Sequence, residues 1–106
     1  MKLPQLRSLD RPPDQHGKET LELLAQAAGA RIEHIVSRGD ASPPGFWYDQ
    51  PHAEWVLLLS GKATLRFESG SLELTPGSHL WIPVGCRHRV ERCSVDATWL
   101  AVHLPV

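Results

Sequence analysis

Glu54 is the only acid in the run Ala53-Glu-Trp-Val-Leu-Leu-Leu59. If that run is a strand with one face in a core, the carboxylate must be paired, protonated or bound to a cation, because burying it alone costs several kcal/mol. The second residue able to do chemistry is His88, which follows the frame Pro83-Val84-Gly85. Proline fixes φ and lacks an N–H donor, and glycine admits positive φ, so this frame reads as a tight turn. It would end a strand at Leu80–Ile82 and start another at Arg87–Arg92, with His88, Val90 and Arg92 on one side by alternation. His52 stands two residues before Glu54 and points the same way if the strand is regular there, although Pro51 can hold it in a turn. His103 shares a face of the last strand with Trp99 and Ala101. Two imidazoles and a carboxylate with open positions suit non-haem iron and also take zinc, nickel or manganese. Two structural alternatives stand beside that reading: His88 as a hydrogen-bonded core imidazole, and Glu54 paired with Arg92. An arginine at the site would disfavour a cation and favour an anionic ligand such as a carboxylate.

The elements that must position these residues are short. Met1–Asp14 holds three prolines and mixed charges and reads as an N-terminal arm, with Asp14 as a candidate N-cap. From Lys18 to Ala28, Leu21, Leu24, Ala25 and Ala28 fall at i, i+3, i+4 and i+7, which predicts one short amphipathic helix stopped by Gly29. Beyond Gly29 the period changes to two. Strands are predicted at Arg31–Ser37, Phe46–Gln50, Glu54–Ser60, Ala63–Glu68, around Leu72 and Leu74, on both sides of Pro83-Val84-Gly85, and at Ala97–Leu104. Glycine or proline separates most of them, the grammar of an antiparallel sandwich or closed barrel. No helical crossover is available to support parallel pairing.

Composition narrows the function classes. The chain has 106 residues, 42% of them hydrophobic, and a net charge of −1. That is one domain of ordinary soluble composition, with no electrostatic case for nucleic acid or for an anionic membrane. The longest apolar run, Trp55–Leu59, is far too short to span a bilayer. Cys86 and Cys93 are the only cysteines, and the start of the chain lacks a signal-peptide pattern, so the expectation is a cytoplasmic protein with reduced thiols. Trp47, Trp55, Trp81 and Trp99 read first as barrel core or dimer interface. His16, His34 and His79 have no partner pattern and read as surface or edge residues.

The chain resembles the cupin superfamily, small antiparallel jelly-roll barrels. Its second motif, G-x5-P-x-G-x2-H-x3-N, is matched by Gly77, Pro83, Gly85 and His88 at every gap, with Arg92 in place of the final asparagine. The first motif, G-x5-H-x-H-x3–4-E-x6-G, is matched in its second half by Glu54 and Gly61. The two histidine positions fall on Trp47 and Asp49, or on Tyr48 and Gln50 with the shorter gap. The stretch Gly45–Gly61 is similar to a group of single-domain bacterial cupins without an assigned reaction.

The resemblance implies an all-β jelly-roll over residues 31–104, preceded by the arm and helix of 1–30, in a single domain spanning 1–106. It also implies a divalent metal inside the barrel (Fe, Zn, Ni or Mn), with Glu54 and His88 at ligand positions. His52, His103 and Asp49 are the replacements for the missing histidines. On this reading the pocket binds a small polar or carboxylate molecule. Arg92 would orient it and Tyr48 would shuttle a proton, as in a metal-dependent oxygenase or isomerase. A metal-free ligand-binding or sensing module and a structural dimer with a filled barrel are the competing functions. The resemblance also implies a homodimer.

Overall fold

The structure, a computed structural model, describes residues 2–9 and 19–105. Asp14 and His16 lie outside the described residues. Among the described residues eight strands run in chain order: β1 (Thr20–Ala27), β2 (Ala30–Val36), β3 (Ala53–Ser60), β4 (Ala63–Phe67), β5 (Gly70–Leu74), β6 (His79–Ile82), β7 (His88–Cys93) and β8 (Thr98–Leu104). They form two sheets of antiparallel pairs, one in the order β1-β2-β8-β3-β6 and the other β5-β4-β7. No helix among the described residues is long and apolar enough to cross a membrane.

Alternation builds the interior. Val56 and Leu58 from β3, Trp99 and Ala101 from β8, and Ile82 from β6 meet Ala63 and Leu65 from β4 and Leu74 from β5 in one buried cluster. Each inward residue is separated from the next by one facing out, the signature of a sheet with one covered face. The face-to-face stacking of the two sheets is what encloses Glu54, His88 and His103, which come from β3, β7 and β8.

The helix expected over Lys18–Ala28 is a strand in the described part, Thr20–Ala27. β1 pairs along its length with β2, and Ala27 faces Ala30 across a two-residue turn. Ala28 and Gly29 both have positive φ, 52° and 83°, as the favoured two-residue hairpin requires. Gly29 therefore stops a strand, not a helix. An isolated helix of that length is marginal in water, whereas pairing with β2 satisfies a full ladder of backbone groups. Phe46–Gln50 also departs from expectation: among its residues only Tyr48 pairs, in an isolated antiparallel bridge to His88. Pro43, Pro44 and Pro51 flank the segment and keep it from extending the ladder. The arm residues Leu3 and Leu6 are 94% and 95% exposed, so neither packs on the barrel.

Candidate functional site

The turn expected at Pro83-Val84-Gly85 is present. Gly85 has a φ of 71°, its N–H donates to the Gln50 carbonyl at 3.0 Å, and the Cys86 N–H returns to the Pro83 carbonyl at 3.2 Å. This fixes the start of β7. Tyr48 and His88 then exchange backbone hydrogen bonds at 2.7 and 3.1 Å, and their rings stack with centroids 5.2 Å apart. The His88 Nδ1–H donates to the Cys86 carbonyl at 2.9 Å, since a carbonyl only accepts. The His88 Nε2 lone pair is left aimed into the barrel, 3.8 Å from Glu54 Oε1.

Glu54 is 7% exposed, and its Oε1 has no hydrogen-bond partner. Burial raises its pKa above the usual carboxylate range, against the opposing pull of His103 and then His88. His103 reaches the same region from β8, with Nε2 4.0 Å from Glu54 Oε2. Its stronger contacts point elsewhere: Nε2 lies 2.7 Å from Glu33 Oε1, and Nδ1 lies 2.9 Å from His52 Nε2. Partial burial, then His103, hold the His52 pKa below the ordinary histidine value, and His52 Nε2 shares a hydrogen bond with His103 Nδ1 in which the tautomer sets the donor. His103 in turn donates its Nε2–H to Glu33. Both of its ring nitrogens are thereby engaged.

Glu54, His88 and His103 line a cavity of about 130 Å³ with Glu19, Glu33, Tyr48, Gln50, Val56, Leu65, Val90 and Trp99. The Tyr48 hydroxyl has a raised pKa, first from burial and then from Glu19 and Glu54. Glu19 is raised too, by burial and then by Asp40. Sequence reasoning missed Glu33 and Glu19. Glu33 could have been found from the alternation of Arg31–Ser37, which puts it on the face of Ile35.

The structure separates the other sequence candidates from the cavity. Asp49 is exposed and does not line it. His52 precedes the first residue of β3 and contacts His103 from behind rather than pointing in beside Glu54. Arg92 turns outward: its side chain is 72% exposed, 4.0 Å from Glu73, and its Nε donates to Thr64 Oγ1 at 3.3 Å. The cause is a β-bulge. Leu65 pairs with Val90 but Thr64 pairs with Arg92, so the extra residue Glu91 reverses the alternation. No Glu54–Arg92 pair forms. His34, expected at the surface, is 5% exposed, while exposed His79 accepts from Trp55 Nε1 at 3.3 Å.

A metal centre needs donors with free lone pairs converging on one point. Glu54 Oε1 and His88 Nε2 meet that requirement, and His103 does not while its N–H is held by Glu33. Among the described residues, no group of three or more His, Cys, Asp or Glu could hold a metal ion as it stands. The cavity is thus an acidic, partly unsatisfied interior and not a closed metal centre.

No protein-family model matches the chain, and no curated protein does. Solved structures do. A cupin superfamily protein from Desulfitobacterium hafniense DCB-2 is 20% identical, with a TM-score of 0.79 over 98% of this chain and 95% of that one. KdgF from a Halomonas species is 16% identical, with a TM-score of 0.73 over 88% of this chain and 85% of its own. At these identities the likeness is one of fold. A protein of Ralstonia eutropha JMP134 that carries the provisional name mannose-6-phosphate isomerase goes further: it is 41% identical, with a TM-score of 0.80 over 90% of this chain and 88% of that one. The motif residues Gly77, Pro83, Gly85 and His88 lie where that architecture needs them, around the turn that aims His88 inward, and the chain belongs to the cupin superfamily.

Proposed function

We propose that the chain is a small-molecule-binding cupin whose barrel cavity holds its ligand at Glu54, His88 and His103. The observation that carries this reading is Glu54 Oε1, a buried carboxylate oxygen without a partner, beside the free lone pair of His88. A chain that needed only a filled barrel would place an apolar residue there at lower cost. The cavity, about 130 Å³, is of the size that accepts a molecule of about six non-hydrogen atoms. The name borne by the Ralstonia protein would bring a sugar phosphate. Among the described lining residues there is neither lysine nor arginine to hold a phosphate, so that substrate is not carried over. Tyr48, stacked on His88, is the residue available to pass a proton to a bound molecule.

The test is a library of small polar fragments followed by NMR on wild-type protein and on the cavity-filling variant Ile35→Phe. The expected result is at least one fragment that moves the Tyr48 and His88 signals of the wild type and not of the folded variant. No such fragment at millimolar concentration would overturn this reading.

A divalent cation is the second reading, favoured by the same oxygen and lone pair. Glu54 and His88 would hold the ion, and His103 would join on leaving Glu33. Such an ion would act as a Lewis acid on a bound ligand. Element analysis of tag-free protein, repeated for Glu54→Ala and His88→Ala, tests it: near-stoichiometric metal lost in both variants supports the reading, and its absence from the wild type counts against it.

The partner assigned to the exterior is a second copy of the chain. The outward residues of β2, β8, β3 and β6 line up as Ile32, Val102, Trp55 and Trp81, then as Leu100, Leu57 and His79 beside the buried His34. No Asp, Glu, Lys or Arg stands in either row. A face four strands wide offers on the order of several hundred Å², the scale of one side of a standard interface, and an uncharged centre is what such interfaces share.

A further inference from the structure

The cavity's hydrogen-bonding inventory is weighted toward acceptors, with the Tyr48 hydroxyl and the Gln50 amide N–H groups as the donors set against them. Glu54 Oε1 and Gln50 Oε1 are both buried acceptors without partners, and both line it. In the neutral imidazole the His88 Nε2 lone pair is a third acceptor, since Nδ1–H donates to the Cys86 carbonyl. Glu19 and Glu33 add two more carboxylates to the wall. The positive groups nearby do not balance them. Arg31 lies 4.0 Å from Glu33 but is 45% exposed and does not line the cavity, and Arg92 points away on the far side of the bulge. His103 donates to Glu33, and the pull of His103 and then His88 on Glu54 does not offset its burial. Buried acceptors that lack partners are satisfied by donors, and a wall of carboxylates in low dielectric repels an anion.

We infer that the cavity selects a small ligand rich in hydrogen-bond donors, neutral or cationic, of the amino-alcohol or diol class, and rejects carboxylates and phosphate esters. This rests on the cavity being a ligand site. It goes beyond that reading by fixing the charge of what enters. An ammonium group would lie against Glu54, and an adjacent hydroxyl would donate to Gln50 or His88. Affinity should therefore follow charge among molecules of nearly equal size.

Four probes separate the classes: ethanolamine, ethylene glycol, glycolate and methyl phosphate, each titrated into the full chain at pH 7 and followed by NMR at Tyr48, His88 and the Trp99 indole. Ethanolamine and ethylene glycol are expected to move these signals saturably, ethanolamine the more tightly, while the two anions leave them in place. Glu54→Gln should weaken ethanolamine by about tenfold or more and ethylene glycol far less, as loss of a charge pair with retention of shape requires. Glu33→Gln serves as an independent carboxylate deletion if Glu54→Gln does not fold, with the same ordering. Glycolate or methyl phosphate binding at these signals as tightly as ethanolamine overturns the inference. If none of the four binds while the fragment library yields another cavity ligand, the ligand class falls and the interior site survives. If the library is also empty, both fall.

Discussion

The Glu54 carboxylate is almost fully buried and lacks a partner on one oxygen, and burial raises its pKa. A folded-state pKa above the unfolded one means that the native state holds the proton more tightly. Stability is then greatest below the ordinary glutamate range and is lost as pH rises through the raised value. Glu54→Gln removes the charge and keeps the shape. It should raise unfolding free energy by about 1 kcal/mol at pH 7.5, with the gain shrinking toward pH 4. Urea titrations of both proteins at the two pH values check this, and a variant no more stable than wild type at pH 7.5 would show that the charge is satisfied. Cys93 gives a second prediction at this scale. Its Sγ donates to the Asp40 carbonyl at 2.8 Å, and burial pushes the thiol pKa up. In a Cys86→Ser background it should react with a thiol reagent at pH 8 at least about tenfold more slowly than free cysteine, because the thiolate is the nucleophile. Equal rates would mean that the thiol is open to solvent.

Among the elements, β7 decides the chemistry of the cavity. Its bulge at Glu91 sends His88 and Val90 inward and Arg92 outward, which the sequence pattern alone could not show. Arg92→Asn, which supplies the residue of the superfamily motif, should therefore alter stability by no more than about 0.5 kcal/mol and leave cavity binding unchanged. A change in ligand affinity beyond about threefold would mean that the guanidinium reaches the interior in solution. The β1–β2 hairpin makes the complementary point. Leu21, Leu24, Ala25 and Ala28 fit a helical stripe equally well, and nothing local chooses between the periods. The choice is made by β2, whose free edge β1 covers. Gly29→Val, at a φ of 83°, should cost about 1 kcal/mol or more, because a β-branched side chain is strained in the left-handed region. Thermal unfolding of the variant measures the difference.

For the whole molecule, the uncharged outer face predicts a mass near twice 11.8 kDa by light scattering. Val102→Glu, placed between Ile32 and Trp55, should shift the protein to a monomer without unfolding it. A wild-type protein that is monomeric at tens of micromolar would refute the paired arrangement. Much of the barrel was legible in the chain, since two-residue periodicity and turn chemistry are local properties: Pro83-Val84-Gly85 specifies its turn through the φ preferences of its own residues. The spacing of Glu54 and His88 within the motifs was also local, and it located both ends of the candidate site. What lies between them was not. Whether His103 faces Glu54 or Glu33, whether Arg92 points in or out, and whether residues 20–27 coil or extend each depend on partners distant along the chain. Hydrogen-bond competition, a one-residue bulge and a free sheet edge settle those questions, and all three arise only once the strands are side by side.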